Sequence, residues 1–455
     1  MTASAQPISY CFPFGFAFGV ASASCQVEGA STEDGKGESV WDRFARLPGK
    51  IKDGSDPSVT CDHYHRFEAD ADLIRDLGVG HYRFSVAWPR VIPDGDGAVN
   101  LLGLDFYDRL VDALLARGIK PWVTLFHWDL PQALEDKGGW TSRATVDAYA
   151  RYAEVVVKRL GDRVDRWFTM NEIPCFIGYG YGSGNFAPGR REPASVVNQA
   201  YHHAILAHGR GVRVVRAFGK PGSLVGLVHN HLPPPPIPVT ETPADILAAK
   251  VEYERTNGQL MGPIFRGAYP AAFLEAAGDD APSIEHGDLE TIGQPTDFLG
   301  LNLYAGDFVR ARPDGSPELL PFPKQYPHGD LPWLRVTPQV LYWGIRLASE
   351  VFGVRSTLIT ENGAAFDDEV TSSGEVIDLD RREYVRNHLV GVLRAIHEGY
   401  DVGGYFLWTL MDNWEWAEGF TKRFGIVRTD HATQVRTPKL SARWFGEVAR
   451  SNRLV

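Results

Sequence analysis

The sequence predicts an α/β fold: a single (β/α)8 TIM barrel whose long βα loops form a deep active-site pocket. Three observations predict it. Eight short β-rich runs alternate with longer amphipathic segments. No glycine-rich phosphate loop follows the first run, although an open doubly wound sheet would usually carry one. Nearly every run ends in a polar or aromatic residue, and a barrel gathers such ends on one face. Strand then helix, repeated, implies parallel pairing with right-handed crossovers.

In chain order the strand candidates are Phe16–Ala21, His81–Val86, Lys120–Phe126, Arg166–Met170, Ser223–His229, Phe298–Asn302, Leu358–Thr360 and Gly404–Leu410. Helix candidates between them include Tyr64–Leu77, Leu104–Arg117, Val146–Leu160, Ala194–Phe218, Pro338–Phe352 and Asp380–His397. In Leu104–Arg117 the apolar residues Leu104, Tyr107, Leu110, Val111, Leu114 and Leu115 follow helical spacing, and Gly118 stops the run. Pro338 opens and Gly353 closes another helix, the expected asymmetry. The proline run from Leu232 to Pro238 is stiff and reads as a fixed strap across the barrel surface. Asp307–Pro332, rich in Pro, Gly and Asp, reads as a long loop.

At 455 residues the chain is long for one domain, but α/β barrels reach this size as one unit. We expect residues 1–455 to form one domain, with 1–9 a flexible N-terminal segment. With 44% apolar residues the chain can bury a large core, and a net charge of −11 argues against nucleic-acid partners. No stretch approaches the roughly 18–20 apolar residues of a membrane span. Met1–Ser9 lacks the basic and apolar regions of a signal peptide, so a cytoplasmic location is expected. Cys11, Cys25, Cys61 and Cys175 contain no C-x-x-C pair, which argues against a zinc ribbon, and they are expected to be reduced. Composition leaves homo-oligomerisation open.

Two strand ends carry the chemistry. Trp167-Phe168-Thr169-Met170-Asn171-Glu172 and Leu358-Ile359-Thr360-Glu361-Asn362-Gly363 each lead apolar or β-branched residues into a glutamate with an asparagine beside it. A carboxylate is costly to bury, so it should not close a core strand unless something pairs with it. Two such ends place two acids at one cavity, the minimal equipment for splitting a glycosidic bond. The other ends deliver Gln26 and Glu28, Arg83, His127-Trp128, Asn302 and Tyr304, Trp408, and then Glu415-Trp416. Sugars offer hydroxyls and weakly apolar C–H faces. Gln26, His127, Asn171 and Glu415 answer the first; Trp128, Trp408 and Trp416 answer the second.

The motifs Phe14–Ala21, Tyr82–Arg90, Thr124–Pro131, Asp297–Asn302, Glu361–Gly363, Leu407–Trp416 and Thr421–Val427 follow one another along almost the whole chain. Together they resemble glycoside hydrolase family 1, the retaining β-glucosidase family. The resemblance implies that Glu361 is the nucleophile and Glu172 the general acid/base, their carboxyls about 5–5.5 Å apart. It implies that Arg83, Tyr304 and Asn302 support the nucleophile. Asn171 would touch the sugar 2-hydroxyl, and Gln26, His127, Glu415 and Trp416 would grip the remaining hydroxyls. Trp408 would be the stacking platform, Trp128 and Phe424 would line the sugar site, and Trp333 would be the aglycone platform. No metal or cofactor is implied. The partners implied are small β-glycosides: cellobiose and aryl or alkyl β-glucosides. Glu415 would repel a phosphate, so the expected donor is an unphosphorylated glucosyl sugar, with galactosyl and fucosyl sugars also open to it. Glutamate rather than glutamine at position 172 argues against a thioglucosidase.

The chain departs from the family pattern in three places. Asn171-Glu172-Ile173-Pro174 stands where the family usually has Asn-Glu-Pro-Trp, so the leaving-group side loses a tryptophan. Cys25 and Leu303 replace tyrosines, which is expected to loosen the packing behind the site. The altered leaving-group side raises a transglycosylating or plant-glycoside-specialised enzyme as the alternative. A catalytically silent sugar-binding barrel would require loss of a carboxylate, and both are present.

Overall fold

The structure, a computed structural model, describes residues 10–455. The segment 1–9 expected to be flexible lies outside the described residues. The strands are β1 Ala17–Ala21, β2 His81–Ser85, β3 Lys120–Thr124, β4 Arg166–Asn171, β5 Leu224–Asn230, β6 Phe298–Asn302, β7 Ser356–Asn362 and β8 Asp401–Trp408. Each pairs in parallel with the next, and β8 closes on β1 to complete the barrel. The long helices that follow each strand are α1 His63–Leu77, α2 Leu101–Ala116, α3 Ala144–Leu160, α4 Ala194–Phe218, α5 Pro243–Arg266, α6 Gln339–Phe352, α7 Leu379–His397 and α8 Leu440–Ser451. No helix among the described residues is long and apolar enough to cross a membrane.

The lower barrel is packed, not hollow. Trp122 of β3 stacks on Phe168 of β4 at 5.9 Å and meets Phe406 of β8 edge-on at 5.0 Å, while Phe298 of β6 packs on Phe168 at 5.3 Å. Room for these rings comes from small residues on neighbouring strands. A Cβ on Gly19 would lie 2.3 Å from the Phe406 ring, so β1 takes glycine there. The Arg83 guanidinium sits 5.2 Å above the Phe168 ring, where the aromatic floor gives way to polar groups.

Two expectations need correction. Asp307–Pro332 is not wholly loop: Asp307–Ala311 and Pro317–Leu319 are strands. The end of the proline strap, Pro236–Pro238, pairs in parallel with Asp307–Ala311, so the two insertions form a small three-stranded sheet. The strap's end is therefore a strand, held by backbone bonds as well as by proline stiffness. Leu303, expected to loosen its surroundings, is 1% exposed, and Gly344 approaches it so closely that a Cβ there would lie 2.5 Å from its side chain.

Candidate active site

β4 and β7 end at the two acids. Glu361 and Glu172 are 4% and 6% exposed, so each must be met by polar partners. Glu361 Oε1 accepts from Arg83 Nη1 at 2.7 Å, and Oε2 accepts from the Tyr304 hydroxyl at 2.7 Å. Glu172 Oε1 accepts from Asn302 Nδ2 at 2.7 Å. Asn302 Nδ2 also donates to Asn171 Oδ1 at 3.1 Å, the oxygen that takes Arg83 Nη2, so Asn171 and Arg83 link the two carboxyls. Asn302, expected to support the nucleophile, instead donates to the other acid. Thr360 Oγ1 donates to Asn302 Oδ1 at 2.7 Å and fixes the amide's orientation. Gly363 lets the chain leave β7 against β8: a Cβ there would lie 1.8 Å from the Trp408 carbonyl oxygen.

Arg83 organises a second line of contacts. Its Nη2 donates to Asn171 Oδ1 at 2.6 Å, which turns Asn171 Nδ2 toward His127 Nε2, 3.0 Å away. His127 Nε2 is therefore the acceptor, and Nδ1 carries the proton. That Nδ1 is buried and has no protein partner, as is Gln26 Oε1. Burial, with Arg83 nearby, holds the His127 imidazole neutral. Gln26 Nε2 donates to Glu415 Oε2 at 3.2 Å and to the Trp414 carbonyl at 3.0 Å. The His127 ring lies parallel to Trp408 and to Trp416, with centroids 5.9 Å away in each case. A buried donor and a buried acceptor left unmet beside an indole are what a hydroxylated ring would satisfy.

The structure brings the remaining candidates to the same rim with different contacts. The Trp128 indole donates to the Asn171 carbonyl at 3.0 Å and packs on Trp416 at 4.5 Å. Phe424 and Trp333 both pack edge-on against Tyr304, at 6.2 and 6.0 Å. Trp333 is 54% exposed. Glu28 is not at the site: it is buried against Arg90 Nε at 3.0 Å and the Tyr107 hydroxyl at 2.7 Å.

The family model for glycosyl hydrolase family 1 matches residues 8–454. The chain belongs to glycosyl hydrolase family 1. Beta-glucosidase A of Thermotoga maritima is 42% identical over 446 residues, covering 97% of this chain and 98% of the relative. A beta-glucosidase of Agrobacterium sp. is 44% identical over 445 residues, covering 96% and 95%. The T. maritima beta-glucosidase in complex with glucoimidazole superposes with a TM-score of 0.90 at 41% identity, covering 98% of this chain and all of that one. The same T. maritima enzyme has been solved with galacto-hydroximolactam, again at a TM-score of 0.90. This family 1 chain is thus a glycosidase, and the named relatives at this identity are β-glucosidases.

In this family 1 site the two acids are electrostatically unequal. Burial first, and then the charge of Glu361, push Glu172 up to about 8. Glu361 is also raised by burial, but the Arg83 cation and the Tyr304 hydroxyl pull it back. Glu172 accepts from a neutral amide and has no cation on its oxygens, so burial raises it with less to oppose the rise than at Glu361. Glu415 is likewise pushed to about 8 by burial and by Glu361.

A stability prediction follows. The folded pKa of Glu172 lies above that of the unfolded chain. Between the ordinary glutamate value and about 8 the native state keeps a proton the unfolded state releases, so stability falls as pH rises through that window. Glu172→Gln removes the penalty. Thermal unfolding should show the variant more stable than wild type by roughly 1–2 kcal/mol at pH 8, with the gain fading toward pH 4.5.

Sequence reasoning missed several features. Glu172, Trp128 and Trp416 occupy the left-handed backbone region, with φ of +52°, +75° and +49°. Such conformations are disfavoured for side chains of this size and cluster at functional sites. After Glu172 the chain enters a π-helical run, Pro174–Ser183, with Pro174 at its first turn, where a missing N–H costs nothing. Cys25 lines a small cavity with Ser24, Glu28 and Asp129. Lys422 is committed to Asp330 at 2.8 Å, and Arg423 faces Asp412 at 3.5 Å.

Proposed function

We propose that this protein is a retaining exo-β-glucosidase. It removes terminal non-reducing β-D-glucosyl residues from cellobiose and from aryl or alkyl β-glucosides by double displacement. The observation that carries the reading is the contrast between Glu361, whose two oxygens accept from the Arg83 guanidinium and the Tyr304 hydroxyl, and Glu172, which accepts from the neutral Asn302 amide. Glu361 attacks the anomeric carbon while Glu172 protonates the departing oxygen. Glycosylation of Glu361 then removes its charge, the Glu172 pKa falls, and Glu172 takes a proton from the incoming water. His127 Nδ1–H and Gln26 Oε1, with Glu415, bind the sugar hydroxyls, Asn171 the 2-hydroxyl, and Trp408 and Trp416 the ring.

Lys422 and Arg423 are already committed to carboxylates, which supports an unphosphorylated donor. Inhibitors of gluco and galacto configuration in the T. maritima relative support some breadth at the 4-position. The free thiols of Cys25, Cys61 and Cys175 fit a reducing, cytoplasmic setting. The chain acts as one catalytic unit. Hydrolysis of a nitrophenyl β-D-glucoside followed by proton NMR tests the reading: β-glucose should appear first and mutarotate later. Initial release of α-glucose would contradict retention.

A second reading, transglycosylation or specialisation for plant glycosides, is favoured by Ile173 and Pro174 beside Glu172, with Trp333 exposed. Product analysis with an alcohol acceptor separates the two: a β-alkyl glucoside as the main product favours the second.

A further inference from the structure

Tyr304 lies past the end of β6 at Asn302, yet its hydroxyl meets Glu361 Oε2 at 2.7 Å. The last backbone bond to the neighbouring strand there runs from the Leu303 N–H to the Glu361 carbonyl at 3.0 Å. Beyond it, side chains behind the rim hold the backbone. Asn362 Nδ2 donates to the Leu303 carbonyl at 2.7 Å, and the Tyr384 hydroxyl on α7 donates to the Tyr304 carbonyl at 2.5 Å. The two planar peptide groups flanking the Tyr304 Cα are thus each pinned, which fixes the direction its side chain takes. The Tyr405 hydroxyl on β8 donates to Asn362 Oδ1 at 2.7 Å, so the Asn362 amide cannot turn over. Asn362 Nδ2 then also faces the Tyr384 oxygen at 3.4 Å. Every donor in this chain points one way, from Tyr405 through Asn362 and Tyr384 to Tyr304.

We infer that Tyr384 is a positioning residue for the nucleophile: by holding the Tyr304 carbonyl, it keeps the Tyr304 hydroxyl on Glu361. The inference rests on reading Glu361 as the nucleophile. A phenol has one hydrogen and a carbonyl can only accept, so Tyr384 is the donor. Tyr384, Asn362 and Tyr405 are all buried, so water does not compete for these bonds, and losing one leaves a buried carbonyl unmet. The other groups facing Glu361 are the Arg83 cation of β2 and the carboxyls of Glu172 and Glu415, and removing the Tyr384 hydroxyl alters none of them. The His388 ring, with its centroid 3.9 Å from that of Tyr384, is held neutral by burial and adds no charge.

The test is a double-mutant cycle read in the pH profile of kcat/KM on a nitrophenyl β-glucoside. Glu361 attacks in its ionised form, so the acid limb reports its protonation. The Tyr304 hydroxyl donates to that ionised form, and a donor that drifts away lets the pKa rise. Tyr384→Phe should therefore move the acid limb upward by about half a pH unit and lower kcat/KM about 10-fold. Tyr304→Phe should move the limb the same way. In that background Tyr384→Phe should add less than about a twofold further loss, because the hydroxyl it positioned is gone. A tyrosine that only stabilised the fold would act equally in either background. An acid limb unmoved by Tyr384→Phe, or the same loss repeated in the Tyr304→Phe background, overturns the inference. If Tyr384→Phe does not fold, Tyr405→Phe decides: it frees the Asn362 amide, and an acid limb unmoved there overturns the inference. Glu361→Ala run in parallel separates the two readings. Azide rescue there to an α-glycosyl azide, with no shift at Tyr384, sinks this inference alone, whereas turnover near the wild-type level sinks the nucleophile assignment and this inference with it.

Discussion

Glu361→Ala should lower kcat on a nitrophenyl β-glucoside by about five orders of magnitude, the scale on which loss of a covalent nucleophile acts. Of Glu172, Glu361 and Glu415, Glu361 alone takes a cation on one oxygen and a hydroxyl on the other, from Arg83 and Tyr304. The substitution also leaves the fully buried Arg83 guanidinium without its anion, so the variant should lose about 3 kcal/mol or more of stability. Azide fits the space vacated by the carboxylate and attacks from that face, giving an α-glycosyl azide. Turnover near the wild-type level would show that Glu361 is not the nucleophile.

Glu172→Ala should behave differently with each leaving group. An alkyl β-glucoside, which departs only when protonated, should lose about 10³- to 10⁴-fold in kcat/KM. A dinitrophenyl β-glucoside needs little protonation, so its first step survives and the glycosyl-enzyme accumulates for want of a base. Azide then replaces water from the opposite face and releases a β-glycosyl azide. Steady-state kinetics across a leaving-group series checks this: a flat loss over the series would contradict the assignment. The basic limb of the wild-type profile on the alkyl substrate should fall near pH 8, where Glu172 gives up its proton.

The barrel was legible because each strand announces itself twice, by an apolar β-rich run and by the group that ends it. Helix ends such as Gly353, with φ of +72°, were legible for the same local reason. α5 was harder, since Gly258, Gly262 and Pro263 interrupt its pattern, and the two glycines are explained only by packing, a Cβ on them lying 2.8 and 2.9 Å from the Pro270 ring. The pairing of Pro236–Pro238 with Asp307–Ala311 joins segments about 70 residues apart, each of which reads locally as loop. Within the site, sequence placed Asn302 at the rim but not as a donor to Glu172, because that depends on how β4 and β6 stagger. Glu28 shows the opposite error: a polar residue just past a strand end turned inward to a buried arginine. The Asn230 contact to Cys175 joins residues on different elements, and no spacing rule points to it.

A glucoside carrying fluorine at C2 and a dinitrophenolate leaving group tests the central claim most directly. The fluorine slows both steps by destabilising the oxocarbenium-like transition states, while the good leaving group lets the first proceed. Mass spectrometry of the inactivated protein should show one fluoroglucosyl unit, and peptide mapping should place it on Glu361. A label on Glu172, or burst-free turnover with no adduct, would contradict the double displacement.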